Sequence, residues 1–146
     1  MPDKRTIKIK IVTPERVVLE DTCTEVIIPT TTGIIGVLAR HTPLVSILKP
    51  GEIKLKNGGE ITSFAVSSGF VEVRPNSKVV ILADTAEHAG EIDIERAETA
   101  RQRAEKMLKE KTSAEDVEYA HLQAIIEKEI ARARIARKYR KIAPKI

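Results

Sequence analysis

Aromatic residues make up only 3% of the 146-residue chain and tryptophan is absent. Any core must therefore be aliphatic, and a surface built to stack nucleobases has few rings to use: Phe64, Phe70, Tyr119 and Tyr139. Cys23 is the single cysteine, which excludes an intrachain disulfide; beside Val26 and Ile28 it reads as a small core residue. The longest purely apolar run, Val79 to Ala83, is far too short to cross a membrane, and no signal peptide is visible. No glycine follows Gly90, and no proline follows Pro75 until Pro144. His41, His88 and His121 are too far apart, with no cysteine partners, to suggest a metal site. No nucleophile, base and oxyanion donor can be assembled from spacing, and Ser67-Ser68-Gly69 lacks the strand-to-helix context of a nucleophile elbow.

What is present changes period near residue 90. Before it, apolar residues alternate or cluster between turn residues. After it, Ala, Glu, Lys and Arg recur at helical spacing. The expected architecture is β + α: an antiparallel β-sandwich of about ten strands over 1–88, then an antiparallel two-helix hairpin over 89–146. Ile7, Ile9 and Ile11 alternate with Lys8 and Lys10. Short strands are expected at Val17–Leu19, Glu25–Ile28, Ile34–Leu38, Leu44–Leu48, Ile53–Lys56, Ile61–Val66, Phe70–Val73 and Lys78–Ala83. Asn57-Gly58-Gly59 and Pro75-Asn76-Ser77 are expected hairpin turns.

Asp93 is the expected N-cap of the first helix, with Ile92 and Ala97 placed for a hydrophobic staple. Ile94, Ala97, Ala100, Ala104, Met107 and Leu108 form its apolar face. Thr112-Ser113-Ala114-Glu115 reads as a capping box that starts a second helix. That helix carries two stripes: Val117, Ala120, Ala124, Ala131 and Ile135, and Tyr119, Leu122, Ile126, Ile130 and Ala133. The second stripe suits either another docking surface or packing on the sandwich. The formal charge of +4 is uneven: residues 1–92 balance, and no acid follows Glu129 although seven basic residues do. Such a tail seeks an anionic surface. The alternative this raises is a basic, barrel-like nucleic-acid-binding module, which the scarcity of aromatics disfavours.

Val12-Thr13-Pro14, Gly33-Ile34-Ile35-Gly36-Val37-Leu38-Ala39-Arg40-His41-Thr42-Pro43-Leu44, Ala65-Val66-Ser67-Ser68-Gly69-Phe70-Val71-Glu72-Val73 and Val80-Ile81-Leu82-Ala83-Asp84 form an ordered set over nearly the whole chain. The set resembles the epsilon subunits of rotary F-type ATP synthases. The resemblance implies a non-catalytic central-stalk rotor subunit of a proton- or sodium-driven synthase. Its implied partners are the gamma subunit, the c-ring and the alpha and beta catalytic subunits. It implies a peripheral position on the cytoplasmic face of the cell membrane, with no membrane insertion and no nucleic acid. It further implies a mobile helical domain that restrains ATP hydrolysis, either folded as a hairpin or extended along gamma. Straightened, about 50 helical residues reach about 75 Å.

No cofactor is required under this resemblance, but a regulatory ATP is possible. Ile92-Asp93-Ile94-Glu95-Arg96-Ala97 is similar to the ATP-binding motif of some bacterial members. The candidate set carried over is Glu87, Ile92, Asp93, Arg96, Ala97, Arg103, Lys128 and Arg132. Without the resemblance, the same stretch reads as a capped helix with an Asp93–Arg96 pair. Lys128 keeps the charge of the arginine expected there but loses its forked donors. Arg132, Arg134, Arg137 and Lys138 match the part that meets an acidic segment of a beta subunit, although each also reads as part of a solvated face. Ile34 and His41 match the loops facing the c-ring.

Overall fold

A computed structural model describes residues 5–110 and 117–142, and falls into two compact units, Met1–His88 and Ala89–Ile146. Strict alternation produces the first strand, β1 (Ile7–Val12), with Ile7, Ile9 and Ile11 fully buried. Nine strands follow: β2 (Val17–Cys23), β3 (Glu25–Thr30), β4 (Gly33–Leu38), β5 (Leu44–Leu48), β6 (Gly51–Asn57), β7 (Glu60–Val66), β8 (Gly69–Arg74), β9 (Lys78–Ala83) and β10 (Ala86–His88). Their order is β10-β7-β6-β3-β5-β8-β9-β1-β2, with β4 paired to β3. The link between β3 and β5 is a single residue pair, Thr30 with Leu48, so the strands divide there into two layers. Between the layers lies an aliphatic core that includes Ile7, Ile9, Ile11, Val26, Ile28, Leu48, Ile53, Val71 and Ile81, and buried Cys23 joins it. Burial pushes the Cys23 thiol up to about 11, with the neighbouring Asp21 charge adding to it.

The turns follow their residues. Gly58 and Gly59 have φ of 58° and 93°, the left-handed geometry a two-residue hairpin needs. Asn76 and Ser77 are also left-handed in the β8–β9 turn.

Three features differ from the sequence expectation. The pairing of β1 with β9 is parallel, so the sandwich is not wholly antiparallel. These strands are distant in sequence, and no short turn dictates their direction. β2 continues beyond Leu19 through Glu20, Asp21 and Thr22, because an end strand of the layer leaves those side chains in solvent. β3 runs through Pro29, whose carbonyl accepts from the Lys49 N–H at 3.0 Å.

In the second unit a 3-10 turn (Ala89–Glu91) precedes α1 (Ile94–Lys109) and α2 (Val117–Ile142). The Asp93 side chain accepts from the Arg96 N–H at 3.1 Å, and Ile92 and Ala97 are both buried. Thr112-Ser113-Ala114-Glu115, the expected capping box, lies outside the described residues. Ala97 and Ala104 form the buried centre of α1, whereas Met107 is 47% exposed. Neither expected stripe of α2 is buried along its whole length. Ala120, Ala124 and Ile130 are exposed, and burial widens near the C-terminal end over Ala131, Ala133, Ile135 and Ala136.

Replacing Asp93 with alanine is expected to cost the helical unit about 1 kcal/mol, because a cap acceptor for a free helix N–H is lost. Amide hydrogen exchange in the first turn of α1 should rise accordingly, and Asp93→Asn, which still caps, should largely prevent it.

Candidate functional site

Register across one layer of the sandwich builds a graded outer face. At one end Thr22, Lys8, Lys78 and Arg74 stand side by side across β2, β1, β9 and β8. The next outward row is mixed: Glu20, Lys10, Val80, Glu72 and Val45. The third is apolar throughout: Val17, Val12, Leu82, Phe70 and Ile47. Val17, Leu82, Phe70 and Ile47 are each about half exposed, and Val45 in the neighbouring row is 69% exposed. A shallow cavity of about 310 Å³ runs beside this row, lined by Val12, Pro14, Phe70 and Leu82 among others. The outer side of β6 is different, for there Lys54 pairs with Glu52 and Lys56 pairs with Glu25 of β3. A continuous exposed apolar row of this kind is what a docking surface requires.

A second exposed strip lies on β4. Ile34 is the most exposed large apolar side chain among the described residues at 77%, and Leu38, on the same face, is also exposed. Among the described residues β4 pairs with β3 alone, so no strand there covers its other edge. Ile34 and His41 are not adjacent: Ile34 lies near the start of β4 and His41 follows its other end, and the step of four residues from Ile34 to Leu38 alone spans about 13 Å of strand. His41 follows Leu38 closely and donates its backbone N–H to the Leu38 carbonyl at 3.2 Å. The loop is pinned by the left-handed Arg40, whose N–H donates to Ser77 Oγ at 2.8 Å. His41 Nδ1 lies 2.6 Å from the Thr42 carbonyl, an acceptor, so that ring nitrogen is the donor of the contact. Leu38 was legible as apolar, but only the pairing of β4 shows that it faces out.

In the helical unit, Ile92, Asp93, Arg96 and Ala97 gather in the first turn of α1, with Arg103 seven residues further on the same face. Lys128 and Arg132 share a face of α2 at a spacing of four. Glu87 stands in β10 of the sandwich, next to His88, whose ring packs edge-on against Phe64 at 5.4 Å. Glu98 near the start of α1 meets Arg137 near the end of α2, so the helices run antiparallel, and the contact marks their register. Moving five residues along α1 from Glu98 and five back along α2 from Arg137 brings Arg103 level with Arg132. The cations from Arg96 to Lys128 are thus spread over about 16 Å of the hairpin.

Their commitments differ. Arg96, Arg103 and Lys128 make no ion pair among the described residues, and the expected Asp93–Arg96 side-chain pair is absent there. Arg132 is held by the buried carboxylate of Glu129 at 2.7 Å. The Glu129-x-x-Arg132 spacing was the sequence signal for that pair. Arg134 is exposed. Arg137 donates to Glu98 Oε1 at 2.6 Å, while Arg101 donates to the other Glu98 oxygen at 2.7 Å. Hydrogen bonding from Arg137, reinforced by the charges of both guanidinium groups, holds the Glu98 carboxyl below its ordinary value. The charged form is the bonded one, so this contact is complete above the ordinary carboxylate range and is lost as pH falls below it.

No cluster of metal-binding side chains occurs among the described residues, and no helix there is long and apolar enough to cross a membrane. Two family models match the chain: the beta-sandwich domain of the ATP synthase delta/epsilon chain over residues 6–89, and its long alpha-helix domain over 91–137. The ATP synthase epsilon chain of Desulforamulus reducens is 47% identical over 118 residues, covering 81% of this chain and 89% of that one. That of Chloroflexus aggregans is 47% identical over 130 residues, covering 89% and 91%. Among solved structures, a chain of the Euglena gracilis mitochondrial ATP synthase, in an OSCP/F1/c-ring assembly, superposes with a TM-score of 0.71 at 25% identity, covering 84% of this chain and 76% of that one.

Proposed function

The chain belongs to the ATP synthase delta/epsilon family, as a non-catalytic subunit of the central stalk, and from that premise we propose that it joins rotor parts through its sandwich and restrains ATP hydrolysis through its helical unit. The observation that carries the first half is the exposed row Val17–Val12–Leu82–Phe70–Ile47. A stalk subunit must hold on while torque passes, and apolar burial gives that grip without dependence on salt. This row is the surface for the gamma subunit. The edge of β4 away from β3, with Ile34, Leu38 and the pinned His41 loop, is the surface for the c-ring. Docking there places the chain peripherally, at the cytoplasmic face of the membrane.

The second half rests on the helical unit. Its basic C-terminal segment has charge to offer an acidic stretch of a catalytic beta subunit. The hairpin also carries three cations that make no ion pair among the described residues, Arg96, Arg103 and Lys128, over a length that an extended nucleoside triphosphate can bridge. Guanidinium and ammonium groups bind phosphates through charged donors, and the capping carboxylate of Asp93 can accept from an amino group or a ribose hydroxyl. Arg132 fits this set less well than the sequence implied, because a phosphate would have to compete with Glu129. ATP bound across the hairpin stabilises the folded state by about 2.7 kcal/mol at one hundred times Kd. That is enough to decide between two nearly balanced arrangements.

The test is ATP hydrolysis by the assembled complex with and without residues 89–146, over a range of ATP concentrations. Removal is expected to raise hydrolysis, and most strongly at low ATP, where the arm spends least time folded. Identical rates at every ATP concentration would overturn the restraining role and leave the docking role standing.

A further inference from the structure

We propose that Glu98 acts as an internal stand-in for an acidic partner surface, holding the Arg137 guanidinium in the closed hairpin and surrendering it when the arm opens. This inference rests on the reading of α2 as a segment that meets acidic groups of another subunit, and it names the contact residue and the control on it.

The basic residues of α2 differ in where each keeps its counter-charge. Arg132 is bonded to Glu129, three residues away on the same helix, so its carboxylate travels with it whether the hairpin is open or shut. Arg134 is exposed and makes no ion pair among the described residues, so opening does not change its charge environment in this way. Arg137 is different. Its carboxylate partner is on α1, 39 residues away in sequence, and the bond exists only while the two helices lie together. Separating them leaves Arg137 with an unspent guanidinium and leaves Glu98 with Arg101 alone. The ligand that then fits Arg137 is another carboxylate, presented by an acidic protein surface, since that is the chemistry Glu98 already supplies.

The strength of the pair suits exchange better than locking. Arg137 retains 55% of its side-chain exposure, and exposed ion pairs contribute little to stability. The helices are held chiefly by buried residues such as Ala97, Ala104, Leu122 and Ile135. Glu98 therefore adjusts the balance between the two states by a small factor, and an external carboxylate can outcompete it.

The experiment uses the assembled ATP synthase, with the distance between α1 and α2 read by spin labels at exposed Thr99 and Gln123 and with ATP hydrolysis measured in parallel. Glu98→Gln is expected to raise the open population, and to deepen the restraint on hydrolysis, about two- to fivefold. Arg137→Gln removes the same bond from the other side. It should open the hairpin equally yet weaken the restraint, because the docking cation is gone. The reversed pair, Glu98→Lys with Arg137→Glu, should close the hairpin again while hydrolysis stays released. The proposal is overturned if Glu98→Gln leaves both readouts unchanged, if it opens the hairpin without deepening restraint, or if Arg137→Gln restrains as strongly as Glu98→Gln. Deletion of residues 89–146 serves as the separate control. If that deletion changes nothing, the restraining role itself fails, whatever the point variants do.

Discussion

Phe70→Asp will weaken binding of the chain to its gamma subunit by about a hundredfold, or close to 3 kcal/mol, while leaving the sandwich folded. Phe70 lies within the row, flanked on both sides, with Leu82 beside it on β9 and Ile47 beside it on β5. An aromatic side chain that becomes fully buried on docking is the kind of residue that dominates an interface. Aspartate removes that apolar area and also brings a carboxylate with no counter-charge into the contact. The nearest outward row offers Glu72 on the same strand and Val45 and Val80 on the neighbouring strands, none of which can compensate it. The fold should tolerate the change, because Phe70 is 56% exposed and the core on the other side of β8 is made by Val71 and Val73. Binding to purified gamma measured by calorimetry, with thermal unfolding of the free chain as control, checks the result. If affinity falls less than threefold in a folded variant, this row is not the rotor contact.

The same substitution at Ile61 provides the comparison. Ile61 is as exposed as Phe70 but lies on β7, opposite Lys56, whose ammonium pairs with Glu25 of β3. Ile61→Asp should leave gamma binding within a factor of two. Exposure alone does not define the docking face; the continuity of five apolar positions across five strands does.

That continuity explains how much could be read from the chain beforehand. Local features were legible because local residues cause them. Asp93 with Ile92 and Ala97 announces the start of α1, Gly58-Gly59 announces a hairpin, and the alternation of Ile7, Ile9 and Ile11 announces a strand with one buried side. Which strands neighbour which is not local. The row from Val17 to Ile47 depends on the parallel pairing of β1 with β9, which joins residues about 70 apart in sequence and has no signature in any short segment. The polar end of β2 was missed for a related reason: Glu20-Asp21-Thr22 looks like a loop until the strand is known to lie at the layer's end. In the helical unit the ordered motifs gave a set of cations by resemblance, but not their commitments. The Glu129–Arg132 pair could be read from a spacing of three. The Glu98–Arg137 pair could not, because it depends on the register of two helices.

The largest loss of stability is expected from a residue that touches no ligand. Gly69→Ala should cost about 3 kcal/mol, a large share of the roughly 5–15 kcal/mol that holds a domain of this kind folded. Gly69 opens β8 and pairs with Leu48 of β5 on one side and Ala83 of β9 on the other. A methyl group there would overlap the backbone carbonyl of Leu82 and come within 2.9 Å of the Ala83 Cα. The obstacle is main chain in a paired strand, so no side-chain rotation relieves it, and β8 must move away from β9. The strain is one of space and not of backbone angle, since Gly69 is not among the positive-φ positions. Gly36 gives the contrast: an added methyl meets only the Glu25 carboxylate at 3.4 Å, the far end of a flexible side chain. Gly36→Ala should therefore change stability by less than about 1 kcal/mol. Urea unfolding of both variants separates the cases. A loss below about 1 kcal/mol for Gly69→Ala would mean that β8 and β9 do not approach as closely as this packing requires. Because Phe70 and Leu82 adjoin the same strand pair, the variant should also lose gamma binding, and the docking row would then be shown to depend on a backbone contact one residue away from it.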